Sequence, residues 1–182
     1  MIEPSEIHMK VAKRILRYVK GTLNVGIHYY TSKRFNLVGF SDSDRGISLD
    51  DRKSTFGNCF SFGSGLITWS SKKQSIVALS STEVEYVAVT SAGTQALWLR
   101  KVLEEIGEKQ IHPTVIFCDN TSAIKLAKNR VHHSRTKHFD LKYHFIIDLV
   151  QKKEVELRYI KTQEQIADIF TKAVDKVQFL KL

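Results

Sequence analysis

The sequence predicts one main domain of mixed α/β class, in which helices pack on a sheet. The order of segments is the first observation: strand-like segments come early, and strands then alternate with helices after residue 80. Size and composition are the second. The 182 residues, 42% hydrophobic and 26% charged, are enough for one hydrophobic core and are typical of a globular chain. No internal repeat or low-complexity tract divides the main body.

The first part of the chain predicts one helix followed by strands. Apolar residues recur at helical spacing between residues 5 and 20, and Gly21 ends this helix. The predicted strands are Leu23–Tyr30, Phe35–Phe40, Thr55–Phe62 and Leu66–Ser70, with an extension at Ile76–Leu79. The glycines at 63 and 65 indicate a hairpin, and the charged stretch Arg45–Ser54 indicates a loop.

A long helix is predicted from Ser80–Thr82 to about Gly107. Ser80 and Thr82 each precede a glutamate by three residues, which is the spacing of a capping box. Val115–Cys118 has the continuous apolar character of a strand that is buried on both faces. The remaining predicted elements are helix Ser122–Lys128, helix His138–Lys152, strand Val155–Ile160 and helix Glu164–Lys176.

Two aspartates directly follow predicted strands. Asp42 comes after Phe35–Phe40 and Asp119 comes after Val115–Cys118. The carboxyl ends of strands are where open sheets usually place ligands. Asp119 has an alternative interpretation as the cap of the following helix.

Glu85 is the only charged residue on the predicted inner face of the long helix. The residues that share this face at helical spacing are Ala88, Val89, Ala92, Ala96, Leu99 and Leu103. Because burial of a lone carboxylate is costly, the position predicts a partner for it. The alternative is a capping role with Thr82.

Asp168 has the weakest case from the residues alone. It falls on the polar side of the last predicted helix, together with Thr171, Lys172 and Asp175. An aspartate in a first turn is also favoured by the helix dipole, which is a purely structural role.

The charge balance and the acidic residues together predict nucleic-acid chemistry. A net charge of +9 favours a polyanionic partner such as nucleic acid, although a merely basic protein is the alternative. Grouped carboxylates repel one another, and hard divalent ions such as Mg²⁺ relieve that conflict. Two such ions about 4 Å apart can activate a water and stabilise the leaving oxygen of a phosphodiester.

Seven motifs in chain order resemble the ribonuclease H domain of copia-type retrotransposon Pol polyproteins. They are KRILRYVKGT (13–22), GFSDSD (39–44), DDRKSTFG (50–57), ITWSSKKQSIVALSSTEVEYVA (67–88), CDNTSAIKLAKN (118–129), HHSRTKHFDLKYHFI (132–146) and ADIFTK (167–172). The resemblance implies a mixed five-stranded sheet with helices on both faces. Residues 1–34 would be the end of a reverse transcriptase connection segment, and residues 35–178 the ribonuclease H domain.

The same resemblance implies an endonuclease that hydrolyses the RNA strand of RNA–DNA hybrids during reverse transcription. The motifs SDSD, EVEY, CDN and ADIF assign metal binding and catalysis to Asp42, Glu85, Asp119 and Asp168, with Asp44 as the alternative to Asp42. Two Mg²⁺ ions are implied, with Mn²⁺ as a substitute. A reverse transcriptase domain of the same polyprotein is an implied partner, and no small-molecule cofactor is expected.

The chain departs from the family pattern in two places. The family usually continues the first motif with Trp-Ala-Gly, where this chain has Arg45-Gly46-Ile47. Cellular ribonucleases H often carry a histidine between the last strand and the last helix, and the link Lys161–Gln165 contains none. These departures keep open a catalytically silent nucleic-acid-binding remnant, and a related DNA nuclease or integrase-like enzyme is the third hypothesis.

Several polar residues are predicted to contact the hybrid. They are Lys72, Lys73, Asn120, Ser122, Arg130, Arg135, Lys137 and His138. For the basic stretch 130–138, a solvated loop or a zinc site is the alternative.

Four further residues are predicted to be buried, and the chain is expected to stay out of membranes. Trp69 and Trp98 are predicted to lie in the core, with platforms for base stacking as the alternative. Cys59 and Cys118 are predicted to be buried free thiols, with a disulfide or a metal-binding pair as the alternative. Neither a signal peptide nor a membrane span is recognisable. The expectation is a soluble intracellular protein, in the cytoplasm within a virus-like particle or in the nucleus.

Overall fold

Five strands and five α-helices form the described part of the chain, which in this computed structural model comprises residues 3–31, 35–44, 52–74, 77, 80–128 and 137–182. The strands are β1 (Leu37–Asp44), β2 (Thr55–Phe62), β3 (Gly65–Lys73), β4 (Thr114–Cys118) and β5 (Val155–Tyr159). The helices are α1 (Glu6–Gly21), α2 (Ser81–Glu105), α3 (Thr121–Lys128), α4 (Lys137–Gln151) and α5 (Lys176–Lys181). Two 3₁₀ segments, Thr162–Glu164 and Ile166–Phe170, lie between β5 and α5.

The strands form one mixed sheet in the order β3-β2-β1-β4-β5. Strands β1, β2 and β3 are antiparallel neighbours, whereas β1, β4 and β5 run parallel. The predicted mixed five-stranded sheet is therefore confirmed. In the β1–β4 register Phe40 lies opposite Phe117, so Asp42 and Asp119 each follow two residues beyond that pair. The parallel register thus brings both aspartates to the same edge of the sheet.

Helix α2 packs its predicted inner face against the sheet. Ala88, Val89, Ala92 and Ala96 are fully buried. The last three belong to a core that also contains Phe60 and residues of β4, α4 and β5. A second, smaller cluster contains Phe40, Cys59 and Ala167. Since Cys59 and Phe60 are adjacent on β2 and point to opposite faces, the two clusters lie on opposite sides of the sheet.

The four helices predicted over residues 5–20, 80–107, 122–128 and 138–152 are confirmed to within two residues at each end. Strands β2 to β5 also match their predictions closely. The first strand of the sheet differs, because it begins at Leu37 and continues to Asp44 rather than ending at Phe40. Most of the predicted loop Arg45–Ser54, and the extension Ile76–Leu79 apart from Val77, lie outside the described residues.

The predicted strand Leu23–Tyr30 is wrong. Its residues adopt no regular structure, and apolar side chains such as Ile27 and Tyr29 remain exposed. The segment contacts the β2–β3 hairpin through isolated hydrogen bonds instead. The Tyr29 hydroxyl donates to the Leu66 carbonyl, and the Tyr30 N–H donates to Ser64 Oγ at 3.0 Å. Without a continuous ladder to a neighbouring strand, strand-like composition alone does not produce a strand.

The predicted last helix is also wrong in form. Residues 162–170 form two short 3₁₀ segments interrupted at Gln165, whose backbone is extended at φ −78° and ψ 102°. The only α-helix after β5 in the described chain is α5, which begins after its N-cap Asp175. The second face of the sheet is therefore covered by the 3₁₀ segment Ile166–Phe170, with Ala167 in the second core cluster.

The two tryptophans do not lie in the core. Trp69 and Trp98 are each 56% exposed, which contradicts the prediction. Trp69 alternates with half-buried residues along β3, an edge strand, and faces outward with Ile67. Cys59 and Cys118 are buried free thiols, as predicted. Within the described residues, no helix combines the length and apolar character that a membrane crossing requires.

Candidate active site

Asp42 lies inside β1, opposite Gly57 of β2, and is 1% exposed. The Thr171 hydroxyl donates a hydrogen bond to Asp42 Oδ2. The ammonium of Lys172 lies 3.8 Å from the same oxygen. Asp44, the alternative to Asp42 in the sequence, is less buried and forms the last residue of the strand.

Asp119 directly follows β4 and is half-buried. Its Oδ2 atom accepts a hydrogen bond from the Thr162 hydroxyl at 2.8 Å. The next helix is capped by the neighbouring residue, because Asn120 Oδ1 accepts the N–H groups of Ser122 and Ala123, each at 3.0 Å. The Asp119 carboxylate therefore takes no part in capping that helix.

Glu85 projects from α2 toward the end of β4 and is 7% exposed. The N-cap of α2 is Ser80, whose Oγ accepts the Glu83 N–H at 3.2 Å, so Thr82 does not cap the helix. The Glu85 carboxylate lies 4.0 Å from Cys118 Sγ. Ligand atoms of Glu85, Cys118 and Asp119 all lie within 4.8 Å of one another.

Asp168 is fully buried in the 3₁₀ segment Ile166–Phe170, not on the polar side of a helix as predicted. Lys172 Nζ lies 2.9 Å from Asp168 Oδ2. Asp168 Oδ1 has no hydrogen-bond partner among the described residues. A buried carboxylate with one unsatisfied oxygen is suited to a cation ligand.

A buried glutamine ties the Asp168 segment to the Asp42 strand. Gln165 is 0% exposed, and its Nε2 donates to the Ser41 carbonyl at 3.0 Å. Its Oε1 accepts the Ala167 N–H at 3.3 Å. Because Ser41 precedes Asp42 and Ala167 precedes Asp168, this one side chain couples the positions of both aspartates.

The 3₁₀ segment approaches β2 very closely at Gly57. A methyl group added there would lie 2.9 Å from both Phe170 Cβ and Thr171 Cγ2, and 3.3 Å from the Ala167 carbonyl oxygen. Such distances leave no room for a side chain. The glycine therefore allows the segment that carries Asp168 and Thr171 to lie directly over β2.

The carboxyl groups are held where ionisation is unfavourable. Burial, followed by the charge of Asp42, raises the pKa of Glu85 to about 8. Burial raises the pKa of Asp42 to about 6, although Thr171 and Lys172 oppose the shift. Burial also raises the pKa of Asp168. These shifts have the pattern expected of acids that share one site without enough compensating charge.

The donor set fits a hard divalent cation. Carboxylate oxygens from four separate chain segments lie at one edge of the sheet, and hard cations prefer oxygen ligands. The neighbouring Cys118 does not alter this preference, because burial raises the pKa of its thiol far above the usual range and keeps it neutral. Ligand atoms of Glu85 and Asp119 lie within 4.8 Å of one another, and Asp42 and Asp168 form the pair that shares Lys172.

The residues predicted to contact nucleic acid are only partly described. Lys72 and Lys73 are exposed at the end of β3. Asn120 and Ser122 adjoin Asp119 in sequence, and the Asn120 side chain is engaged in capping. Arg130, Arg135 and the side chains of Lys137 and His138 lie outside the described residues.

Sequence reasoning missed the residues that support three of the four acids, Asp42, Asp119 and Asp168. Thr162, Gln165, Thr171 and Lys172 contact the acids or the strand beside them. A usable signal existed for Lys172, since it follows Asp168 by four residues. Nothing in the pattern distinguished Gln165 from an exposed linker residue.

The sequence is similar to two plant transposon polyproteins over nearly its whole length. It is 41% identical to the retrovirus-related Pol polyprotein from transposon TNT 1-94 of Nicotiana tabacum, over 97% of this chain and 13% of that protein. It is 40% identical to the retrovirus-related Pol polyprotein from transposon RE2 of Arabidopsis thaliana, over 97% of this chain and 12% of that protein. The chain thus spans only a small part of these relatives. No protein-family model matches it.

Solved structures show the same fold at low sequence identity. The N-terminal RNase H domain of rv2228c from Mycobacterium tuberculosis superposes with a TM-score of 0.54 and 12% identity, covering 75% of this chain and 91% of that chain. LC11-RNase H1, solved in complex with an RNA/DNA hybrid, gives a TM-score of 0.52 and 11% identity, covering 75% and 94%. The sheet and its helices therefore have the ribonuclease H fold.

Proposed function

Because the chain belongs to the copia-type retrotransposon Pol polyproteins and has the ribonuclease H fold, we propose that it hydrolyses the RNA strand of RNA–DNA hybrids during reverse transcription. The convergence of four acids from four chain segments at one sheet edge is the observation that supports this most directly. The net charge of +9 also favours a polyanionic substrate, although the site itself is acidic.

We propose that Asp42, Glu85, Asp119 and Asp168 hold two Mg²⁺ ions, for which Mn²⁺ can substitute. Bound divalent ions would supply the Lewis acidity that activates a water and neutralises charge on the phosphodiester. The protein's own contribution is positioning. Thr162 fixes one oxygen of Asp119, and Gln165 holds the Asp42 and Asp168 segments together. Burial then excludes bulk water from Asp42, Glu85 and Asp168.

Binding of the hybrid is proposed to use the polar and basic residues around this edge. Lys72 and Lys73 would contact phosphates, together with Arg130, Arg135, Lys137 and His138. Asn120 and Ser122 adjoin Asp119 and would contact the RNA strand, where 2′-hydroxyls distinguish RNA from DNA. LC11-RNase H1, which has the same fold, was solved with such a hybrid.

Residues 1–34 are proposed to be the end of a connection segment that joins this domain to a reverse transcriptase. Helix α1 has no buried residue, and its apolar side chains, among them Val11 and Ile15, are exposed. A ring contact between Tyr18 and Phe179, with centroids 6.0 Å apart, brings α1 against α5. An amphipathic helix with an uncovered apolar face is suited to packing on another domain of the polyprotein.

Purified protein is expected to cleave the RNA strand of a labelled hybrid with Mg²⁺ or Mn²⁺ and to show no cleavage in EDTA. Single-stranded RNA, RNA duplex and DNA duplex of the same sequence are the comparison substrates. Asp42→Asn, purified in parallel, controls for contaminating nucleases. Salt-sensitive binding without cleavage would instead favour the silent remnant. Cleavage of DNA duplex but not hybrid would favour a related DNA nuclease.

Gly57→Ala is expected to lower hybrid cleavage by about tenfold or more. The added methyl would lie 2.9 Å from Phe170 Cβ and Thr171 Cγ2, so the segment that carries Asp168 must shift. Catalytic groups tolerate misplacements of about 1 Å poorly. The effect should appear in the rate at saturating Mg²⁺ and substrate.

Gly21→Ala is the matched control, because no atom lies within 4 Å of the methyl group it adds. Its cleavage rate should equal that of the wild type. An undiminished rate for Gly57→Ala would show that the close packing over β2 does not position the site.

A further inference from the structure

Lys172 places a positive charge between two of the four acids. Its Nζ lies 2.9 Å from Asp168 Oδ2 and 3.8 Å from Asp42 Oδ2. We propose that the Lys172 ammonium and a divalent cation compete for these two carboxylates, so that Lys172 sets the metal affinity of the site. The inference rests on the proposed function, in which both aspartates are metal ligands.

The two aspartates can be reached by only one strong cation at a time. Their side chains are 2% and 1% exposed, so solvent provides little screening at the oxygens that Lys172 approaches. A divalent ion bound to the same Oδ2 atoms would repel an ammonium at these distances. Binding of one therefore weakens binding of the other.

The Lys172 ammonium can move away from the two aspartates without a change in the backbone. The Lys172 N–H donates to the Asp168 carbonyl at 3.0 Å, which anchors the main chain. The side chain is 35% exposed and long, so its ammonium can reach water by rotation of the four-carbon stem. An exchange of cations thus needs no rearrangement of the 3₁₀ segment.

The partners of the two aspartates explain why the departing ammonium must be replaced. Asp42 keeps the hydrogen bond from the Thr171 hydroxyl when the ammonium moves away. Asp168 accepts no hydroxyl hydrogen bond of this kind from the described residues: its Oδ1 lacks a donor and its Oδ2 contacts Lys172. A buried carboxylate that loses its counter-charge is strongly disfavoured, so departure of the ammonium is coupled to arrival of another cation, either a metal ion or a proton.

The test measures Mg²⁺ affinity by titration calorimetry on the intact chain, without nucleic acid. Lys172→Gln is expected to lower the Kd for Mg²⁺ by about three- to tenfold, because the competing charge is gone. It should also lower the melting temperature in EDTA while enlarging the rise that saturating Mg²⁺ produces. Lys176→Gln removes the same charge from an exposed position four residues later and should leave the Kd within about twofold of wild type.

Lys172→Arg gives an independent test that does not remove the counter-charge. A guanidinium can hold two carboxylate oxygens at once, so this variant should weaken Mg²⁺ binding by about twofold or more. An unchanged or weaker affinity in Lys172→Gln, or a tighter one in Lys172→Arg, would overturn the competition. Failure of every variant and the wild type to bind Mg²⁺ would overturn the proposed metal site itself, and with it this inference.

Discussion

Asp119→Asn is expected to reduce hybrid cleavage by at least about a thousandfold while leaving the fold unchanged. The asparagine has the same shape, and its carbonyl oxygen can still accept the Thr162 hydroxyl that lies 2.8 Å from Asp119 Oδ2. The lost property is the negative charge beside Glu85, whose ligand atoms lie within 4.8 Å of those of Asp119. A neutral amide is a much weaker ligand for a hard divalent ion. Single-turnover cleavage at saturating Mg²⁺ measures the loss directly.

Asp148→Asn is the matched control for this variant. Asp148 lies on α4, is exposed, and forms an ion pair with Lys152 at 2.7 Å. Both variants lose one negative charge. Only Asp148→Asn should retain the wild-type cleavage rate, because exposed ion pairs contribute little to stability. Thermal unfolding in EDTA should show that both proteins remain folded. Wild-type cleavage by Asp119→Asn would mean that the four acids are not the catalytic centre.

The position of Glu85 could be predicted because helical periodicity is a local property. One charged residue on an apolar stripe of α2 must be buried with the rest of that stripe, and the structure buries it. The neighbourhood of Asp42 and Asp119 could be predicted for a similar reason. Both follow apolar strands, and parallel strands end at one edge of a sheet.

Asp168 could not be placed in this way. Its burial depends on Gln165, which interrupts the helical pattern by bonding to the Ser41 carbonyl 124 positions earlier in the chain. Periodicity over residues 164–176 therefore predicted a regular helix that the tertiary contact replaces with 3₁₀ segments. The assignment of Asp168 to the site depended on motif resemblance alone.

The other errors have the same physical origin. Trp69 has the composition of a core residue, but β3 is an edge strand and one of its faces is open to solvent. The segment at Leu23–Tyr30 has the composition of a strand but no neighbour with which to form a ladder. Whether a segment adopts the structure that its local sequence favours depends on which neighbouring strand or helix the topology places beside it.

In EDTA, the free energy of unfolding is expected to fall as the pH rises from about 5 to about 8. Burial raises the pKa of Glu85 from 4.5 to about 8 and that of Asp42 from 3.8 to about 6 in the folded protein. Between these limits the folded state retains protons that the unfolded chain releases, so each rise in pH favours unfolding. The loss for the two groups together should be on the order of 3 to 5 kcal/mol, measured by urea unfolding at several pH values.

Glu85→Gln isolates the part of this slope that belongs to Glu85, because glutamine resembles the protonated acid at every pH. The variant should match wild type near pH 5 and exceed its stability at pH 8 by about 2 to 4 kcal/mol in EDTA. Saturating Mg²⁺ should narrow or reverse the difference, since a bound cation stabilises the ionised carboxylate of the wild type and does little for the amide. Equal slopes for the two proteins in EDTA would contradict the buried, proton-retaining state of Glu85.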